Sequence, residues 1–313
     1  MVSYLMRRVL VLLPLLLGIS LLLSALIYII PGDPARVILG PDAREEAVQR
    51  LRERLDLDKP FYERYGMWLL GALRGDLGRS WKRNEPVAKM IADRIPASLE
   101  LAFVAAILGF ALHIPISVIA AVKRNSIVDN AIMFGAFFWI SMPDFWLGIM
   151  IILLVAVKLR LFPISGRSGP LWTADGWRYL VLPAFVLTTR LVATLSRLTR
   201  IKMIEVLEQD YIRTAWSKGL SGRKVVLKHA LRNTMIPAIT VFGLQIPRLI
   251  GATVIIETVF AWPGIGKLLV DAVLSRDFPL AQGIMLVFAV VVVVVNLLVD
   301  VAYAYVDPRI HYE

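Results

Sequence analysis

Long, unbroken apolar runs dominate this chain, and they leave it few possible folds. Six of them stand between charged breaks, at Val9–Ile30, Leu99–Val122, Ala131–Val157, Tyr179–Leu195, Met235–Phe260 and Leu280–Val299. A helix needs about 20 apolar residues to cross about 30 Å of hydrocarbon, so each run reads as one membrane span. The fourth, 17 residues as drawn, must borrow flanking residues. Strands of a membrane barrel are short and alternate apolar with polar, a pattern these runs lack. The expected fold class is an all-α polytopic membrane protein with six transmembrane helices, and the 58% hydrophobic content of the chain agrees.

Charge sets the expected orientation. With the N-terminus inside, Arg7, Arg8, Lys123, Arg124, Arg309 and nine Lys and Arg residues between Arg197 and Arg232 fall in the cytoplasm. That places 14 basic residues inside against six in the two short outer loops, Lys158, Arg160, Arg167, Arg178, Lys267 and Arg276. The segment from Pro31 to Pro96 carries 13 more, but long translocated segments are largely exempt from the rule. Both termini therefore read as cytoplasmic, and the net charge of +11 reflects this topology and anionic lipid rather than nucleic acid. The first run is 22 residues long and ends in a poor cleavage site, Ile29-Ile30-Pro31-Gly32, so it reads as a retained anchor.

Pro31, Gly32 and Pro34 stop the first helix. Beyond them, Ala43–Leu57 repeats apolar Ala47, Val48, Leu51 and Leu55 on one helical face. Tyr65–Leu73 reads as a second short helix with Trp68 at the membrane interface, and Val87–Arg94 leads into the second span, with Pro96 near its first turn. Pro115 and Pro143 fall within spans two and three, as kinks or as hinges. Residues 1–95 are expected to form an N-terminal helix and outer loop, 96–306 the main membrane domain, and 307–313 a cytoplasmic tail.

The chain has no cysteine, so disulfides and thiolate chemistry are excluded, and His113, His229 and His311 are too scattered for a metal cluster. His113 reads as a packed residue. No phosphate-binding G-x-x-x-x-G-K-[ST] loop, His-Glu-x-x-His or G-x-S-x-G occurs. No catalytic residue, metal or cofactor is expected in this chain, and any energy for uphill transport must come from another chain or from an ion gradient. The charges inside the spans are Asp144, Arg190, Arg248 and Glu257, with Asp300 at an inner end. Such charges usually face a bundle interior or water. Arg190 and Arg248, with Ser141 and Asp144 beside Pro143, are candidates for a translocation cavity that favours anionic groups. The alternative is that the arginines pair with Glu257 or Asp144, or snorkel.

Between spans four and five lies a basic, helix-compatible loop of about 200–234. Met203–Tyr211, Ile212–Lys218 and Gly222–Leu231 read as helical pieces separated by Gly219 and Gly222. It is either a solvated positive-inside loop or a docking element. Asp210–Leu220 (DYIRTAWSKGL) followed by Lys228–Pro237 (KHALRNTMIP) resembles the EAA loop of ABC-importer permeases, and within them the first permease subunit of the peptide, nickel and glutathione group. The blocks Tyr4–Arg8, Pro31–Ala35, Leu57–Tyr62, Gly75–Ser80, Ser141–Gly148, Leu161–Gly166 and Glu257–Gly266 recur in that group's order, so the resemblance covers nearly the whole chain.

The resemblance implies a type I ABC-importer permease fold with an N-terminal helix and a large periplasmic loop, in a bacterial inner membrane. It implies a second homologous permease, two cytoplasmic ATPases that bind ATP and Mg, and a periplasmic solute-binding protein. The loop's coupling helix would enter an ATPase groove through Tyr211, Arg213, Thr214, Ala215, Lys218 and Gly219. Arg213-Thr214-Ala215 stands where the general pattern has Glu-Ala-Ala, and the interval from Gly219 to Pro237 is longer. Peptides are the expected solute, with nickel chelates or another small solute as the alternative. A self-sufficient secondary transporter or channel would show inverted repeats and broken helices around a midplane site. A membrane enzyme would need a catalytic cluster.

Overall fold

The computed structural model describes residues 12, 14–25, 33–40 and 42–306. The block Tyr4–Arg8, the Pro31-Gly32 stop and the tail at 307–313 lie outside the described residues, as do the ends of the first expected span. The described residues are helical, with one isolated bridge between Arg79 and Pro86 and no β-strand. They divide into two compact units, one reaching to Pro96 and including Gly264–Val294, the other made of Ala97–Pro263 with the residues from Val295 onward.

The first unit holds α1 (Pro14–Ala25), α2 (Pro34–Leu39), α3 (Glu45–Arg54) and α4 (Phe61–Leu73). The opening of α5 (Val87–Val122), α12 (Ile265–Leu274) and most of α13 (Phe278–Val306) complete it. Asp33 caps α2 by accepting from the Ala35 N–H at 3.0 Å, with Pro34 at the first helical position, where a missing N–H costs nothing. α3 buries only Val48, so its place depends on charge as well, with Arg52 bridging Asp33 at 3.1 Å and Asp58 at 2.9 Å. Its apolar core joins Leu77, Val87, Met90 and Ile91 to Leu268, Leu280 and Ile284.

The block Gly75–Ser80 has a physical account in this unit. Gly75 and Gly78 take φ of +84° and +85°, left-handed conformations that side chains resist, and Asp76 accepts from the Gly78 N–H at 2.9 Å. The turn is then fastened by Asp277. This buried carboxylate accepts from the Ser80 hydroxyl and from the Trp81 N–H, the latter at 3.1 Å, while Trp81 meets Phe278 edge-on.

The second unit continues α5 from Ala97 and adds α6 (Ile127–Ser141), α7 (Asp144–Ile151, prolonged by a π-helical turn, Ile152–Lys158), α8 (Ala174–Leu207) and α9 (Asp210–Ser217). α10 (Gly222–Lys224) runs through a π-helical turn, Val225–Ala230, into α11 (Leu231–Val259). Its main core gathers Leu101, Ala105, Leu147, Leu180, Leu187, Ile256 and Trp262. Polar ties supplement it. Ser98 donates to the fully buried Glu257 at 2.6 Å, the Trp262 indole donates to the Ala97 carbonyl at 2.8 Å, and Arg200 grips the buried Asp129 with two nitrogens. His113 is fully buried against Phe110, as a packed residue should be.

Among the described residues four helices are long and apolar enough to cross a membrane, Val87–Val122, Ala174–Leu207, Gly222–Val259 and Phe278–Val301, with α6 and α7 a fifth if taken as one span. Several helices differ from the sequence reading. The fourth span does borrow flanking residues, and more than a crossing needs: α8 runs 34 residues, Ala174–Leu207, because Arg197, Arg200 and Lys202 end the apolar run without breaking the helix. Pro96 lies ten residues into α5 rather than near its start. Span three is broken, not kinked, because Met142 and Pro143 leave the helix and α6 and α7 meet at 102°.

Candidate functional site

The loop after α8 is built around one amphipathic helix. α8 ends at Leu207, and a turn through Glu208 and Gln209 precedes α9, four residues earlier than the break the sequence reading placed after Tyr211. Asp210 occupies the first turn, where the helix dipole favours a carboxylate, and pairs with Arg213 at 3.3 Å. α9 closes with a Schellman pattern. The Gly219 N–H reaches the Trp216 carbonyl at 2.9 Å, the Leu220 N–H reaches that of Ala215 at 3.4 Å, and Gly219 takes φ +75°. Gly219 thus ends α9, whereas Gly222 opens the next helix and separates nothing.

Two faces of α9 have different tasks. Ile212 and Ala215 are buried with Ala121, Met203, Val225 and Ala230, which anchors the helix to its own unit. Tyr211, Arg213, Thr214, Lys218 and Gly219 are exposed. Of the six loop residues singled out from sequence, five therefore share the outward face, and Ala215 belongs to the anchor. Tyr211 is 43% exposed and its hydroxyl accepts from Asn233 Nδ2 at 2.7 Å, tying α9 to the start of α11. Trp216 is 50% exposed and lies over Gly222, where a Cβ would come within 3.1 Å of the indole. The sequence gives neither Trp216 nor Asn233 a site role, and the signal for Trp216 is an aromatic on the polar side of an amphipathic helix. The exposed surface thus combines two aromatic rings with Arg213 and Lys218, chemistry suited to an apolar groove rimmed by carboxylates.

The candidate cavity residues divide differently. Asp144 opens α7 just past the break, and Arg190 on α8 approaches it with Nη1 3.8 Å from Oδ1. Pairing with Asp144, one of the two readings of Arg190, is what the structure contains. Arg248 on α11 is exposed and, among the described residues, forms no ion pair. Glu257 meets Ser98. Ser141 is exposed at the end of α6, donating to the Phe137 carbonyl at 2.8 Å. Among the described residues no group of acids and histidines could hold a metal ion.

Residues 113–312 match the family described as "Binding-protein-dependent transport system inner membrane component", and residues 1–102 match its N-terminal companion family. The dipeptide transport system permease protein DppB of Escherichia coli (strain K12) is 42% identical over 339 residues, covering 100% of both chains. The oligopeptide transport system permease protein AppB of Bacillus subtilis (strain 168) is 40% identical over 316 residues, again covering 100% of both. In three dimensions the chain is similar to one in an inward-facing structure of the MetNI methionine ABC transporter, with a TM-score of 0.59 at 17% identity, covering 71% of this chain and 99% of that one. That likeness establishes the fold.

Proposed function

The chain belongs to the family of binding-protein-dependent transport system inner membrane components, and from that premise we propose that it is a permease subunit of an ATP-driven importer that takes up peptides. The observation that carries the substrate class is end-to-end identity of 40–42% with a dipeptide and an oligopeptide permease. In this reading the chain crosses a bacterial inner membrane six times, counting α1 and the α6–α7 pair as one span each, with both termini and α9 in the cytoplasm. A second permease completes the translocation path. Two ATPase subunits bind ATP and Mg, and a periplasmic binding protein delivers the peptide.

Mechanism follows from the two faces of α9. The helix is held to its own unit by Ile212 and Ala215 and offers Tyr211, Arg213, Trp216 and Lys218 outward. An ATPase groove that receives this face moves α9 when it closes on ATP. Because α8 and α10 flank α9 without long linkers, that displacement is passed to two membrane helices rather than absorbed. Ser141, Asp144, Arg190 and Arg248 are the residues proposed for the solute path. The charged segment Arg36–Arg94 is the proposed contact for the binding protein.

Reconstitution tests the reading. The chain, its partner permease, both ATPases and a peptide-loaded binding protein, placed together in liposomes, should take up labelled dipeptide only with ATP. Uptake by this chain alone, or a complete complex whose ATP hydrolysis ignores the loaded binding protein, would overturn it.

A further inference from the structure

We propose that Asp144 and Arg190 form an exchangeable ion pair that receives the two charged ends of a zwitterionic peptide, the ammonium at Asp144 and the carboxylate at Arg190. This deepens the permease reading and rests on it. The pair is loose: 3.8 Å separates its nearest atoms, against about 2.7–2.9 Å for a charge-assisted hydrogen bond. Arg190 is 52% exposed. The same unit shows what a structural ion pair in this chain looks like. Arg200 holds Asp129 with two nitrogens, and that carboxylate is 1% exposed and further bonded by the Asn125 N–H.

Location supports exchange. Asp144 follows a 102° break between two apolar helices, and irregular backbone within a membrane segment is tolerated where it lines a cavity or is covered by protein. An isolated charge there costs about 2.5–3.5 kcal/mol on insertion scales. With no solute, each side chain neutralises the other. With a zwitterion bound, the ligand's ends replace that neutralisation, so the path carries no uncompensated charge in either state. The termini of an extended dipeptide lie about 7 Å apart, so the pair must part to receive both of them. A half-exposed arginine can make that swing by rotating its own side chain.

The experiment uses the complete reconstituted importer and three labelled forms of one dipeptide: free, N-acetylated and C-amidated. Uptake of each is divided by its measured affinity for the isolated binding protein, which removes selection upstream. Arg190→Gln should lower normalised uptake of the free and N-acetylated forms about tenfold and leave the C-amide within twofold. Asp144→Asn should lower the free and C-amidated forms and spare the N-acetyl form. The double variant, which leaves no unpaired charge, should assemble normally and lose discrimination among the three. Equal scaling of all three forms in both single variants would overturn the proposal, as would unaltered discrimination in the double variant. Absence of ATP-dependent uptake of any form by the unsubstituted complex would instead overturn the permease reading.

Discussion

The Tyr211 hydroxyl accepts a hydrogen bond of 2.7 Å from the side chain of Asn233, 22 residues further along the chain. This bond joins the short helix α9 to the first turns of α11, so the helix proposed to meet an ATPase and the helix proposed to respond are fastened directly. A neutral hydrogen bond contributes about 1 kcal/mol net, enough to change coupling without unfolding a large unit.

Removal of this bond should therefore uncouple rather than inactivate. Tyr211→Phe and Asn233→Ala should each leave assembly and basal ATP hydrolysis near normal while lowering peptide moved per ATP severalfold. The ratio of labelled peptide uptake to phosphate release in proteoliposomes measures this. An unchanged ratio in both variants would mean the bond has no part in transmission.

Gly219 tests the backbone rather than the space around it. A Cβ there would meet nothing within 4 Å, but φ is +75°. The left-handed region costs an ordinary residue about 1–2 kcal/mol, while Asn visits it more readily. Gly219→Val should reduce binding-protein-stimulated ATP hydrolysis strongly, and Gly219→Asn should keep most of it.

Asp277 should be a stability residue of the first unit. Asp277→Ala removes the acceptor of both the Ser80 hydroxyl proton and the Trp81 N–H, leaving Ser80 Oγ only the Arg83 N–H at 3.0 Å, at a cost of about 1–3 kcal/mol. Amide exchange across residues 79–86 should accelerate in the variant, with α9 unaffected.

The Asp129–Arg200 pair should behave asymmetrically. Arg200→Ala strands a carboxylate that is 1% exposed, a loss of about 3–5 kcal/mol. The double variant Asp129→Asn with Arg200→Gln should recover much of the folded yield, measured as monodisperse protein after detergent extraction.

Apolar run length made the helical, membrane-type fold legible, since length and composition alone decide whether a helix can span hydrocarbon. Boundaries were less legible. Charged residues such as Arg197 and Lys202 end an apolar run but not a helix, so α8 extends well beyond the stretch that hydropathy marks. Pro143 announced an interruption, but a proline in sequence does not say whether the chain bends or breaks. The loop residues came from recognisable blocks, yet which face each occupies depends on where α9 starts, and that is how Ala215 came to be grouped with its exposed neighbours. The pairing of Asp144 with Arg190 joins residues far apart in sequence, and spacing carries no signal for it.

α9 is the proposed point at which ATP-driven motion enters this chain. The chain has no cysteine of its own, so a single introduced thiol reports its own surroundings. In the assembled importer, Arg213→Cys should crosslink to an ATPase subunit with a short thiol-reactive reagent, whereas Ala215→Cys, on the buried face, should not. Failure of Arg213→Cys to reach an ATPase, or equal crosslinking from both positions, would contradict the account.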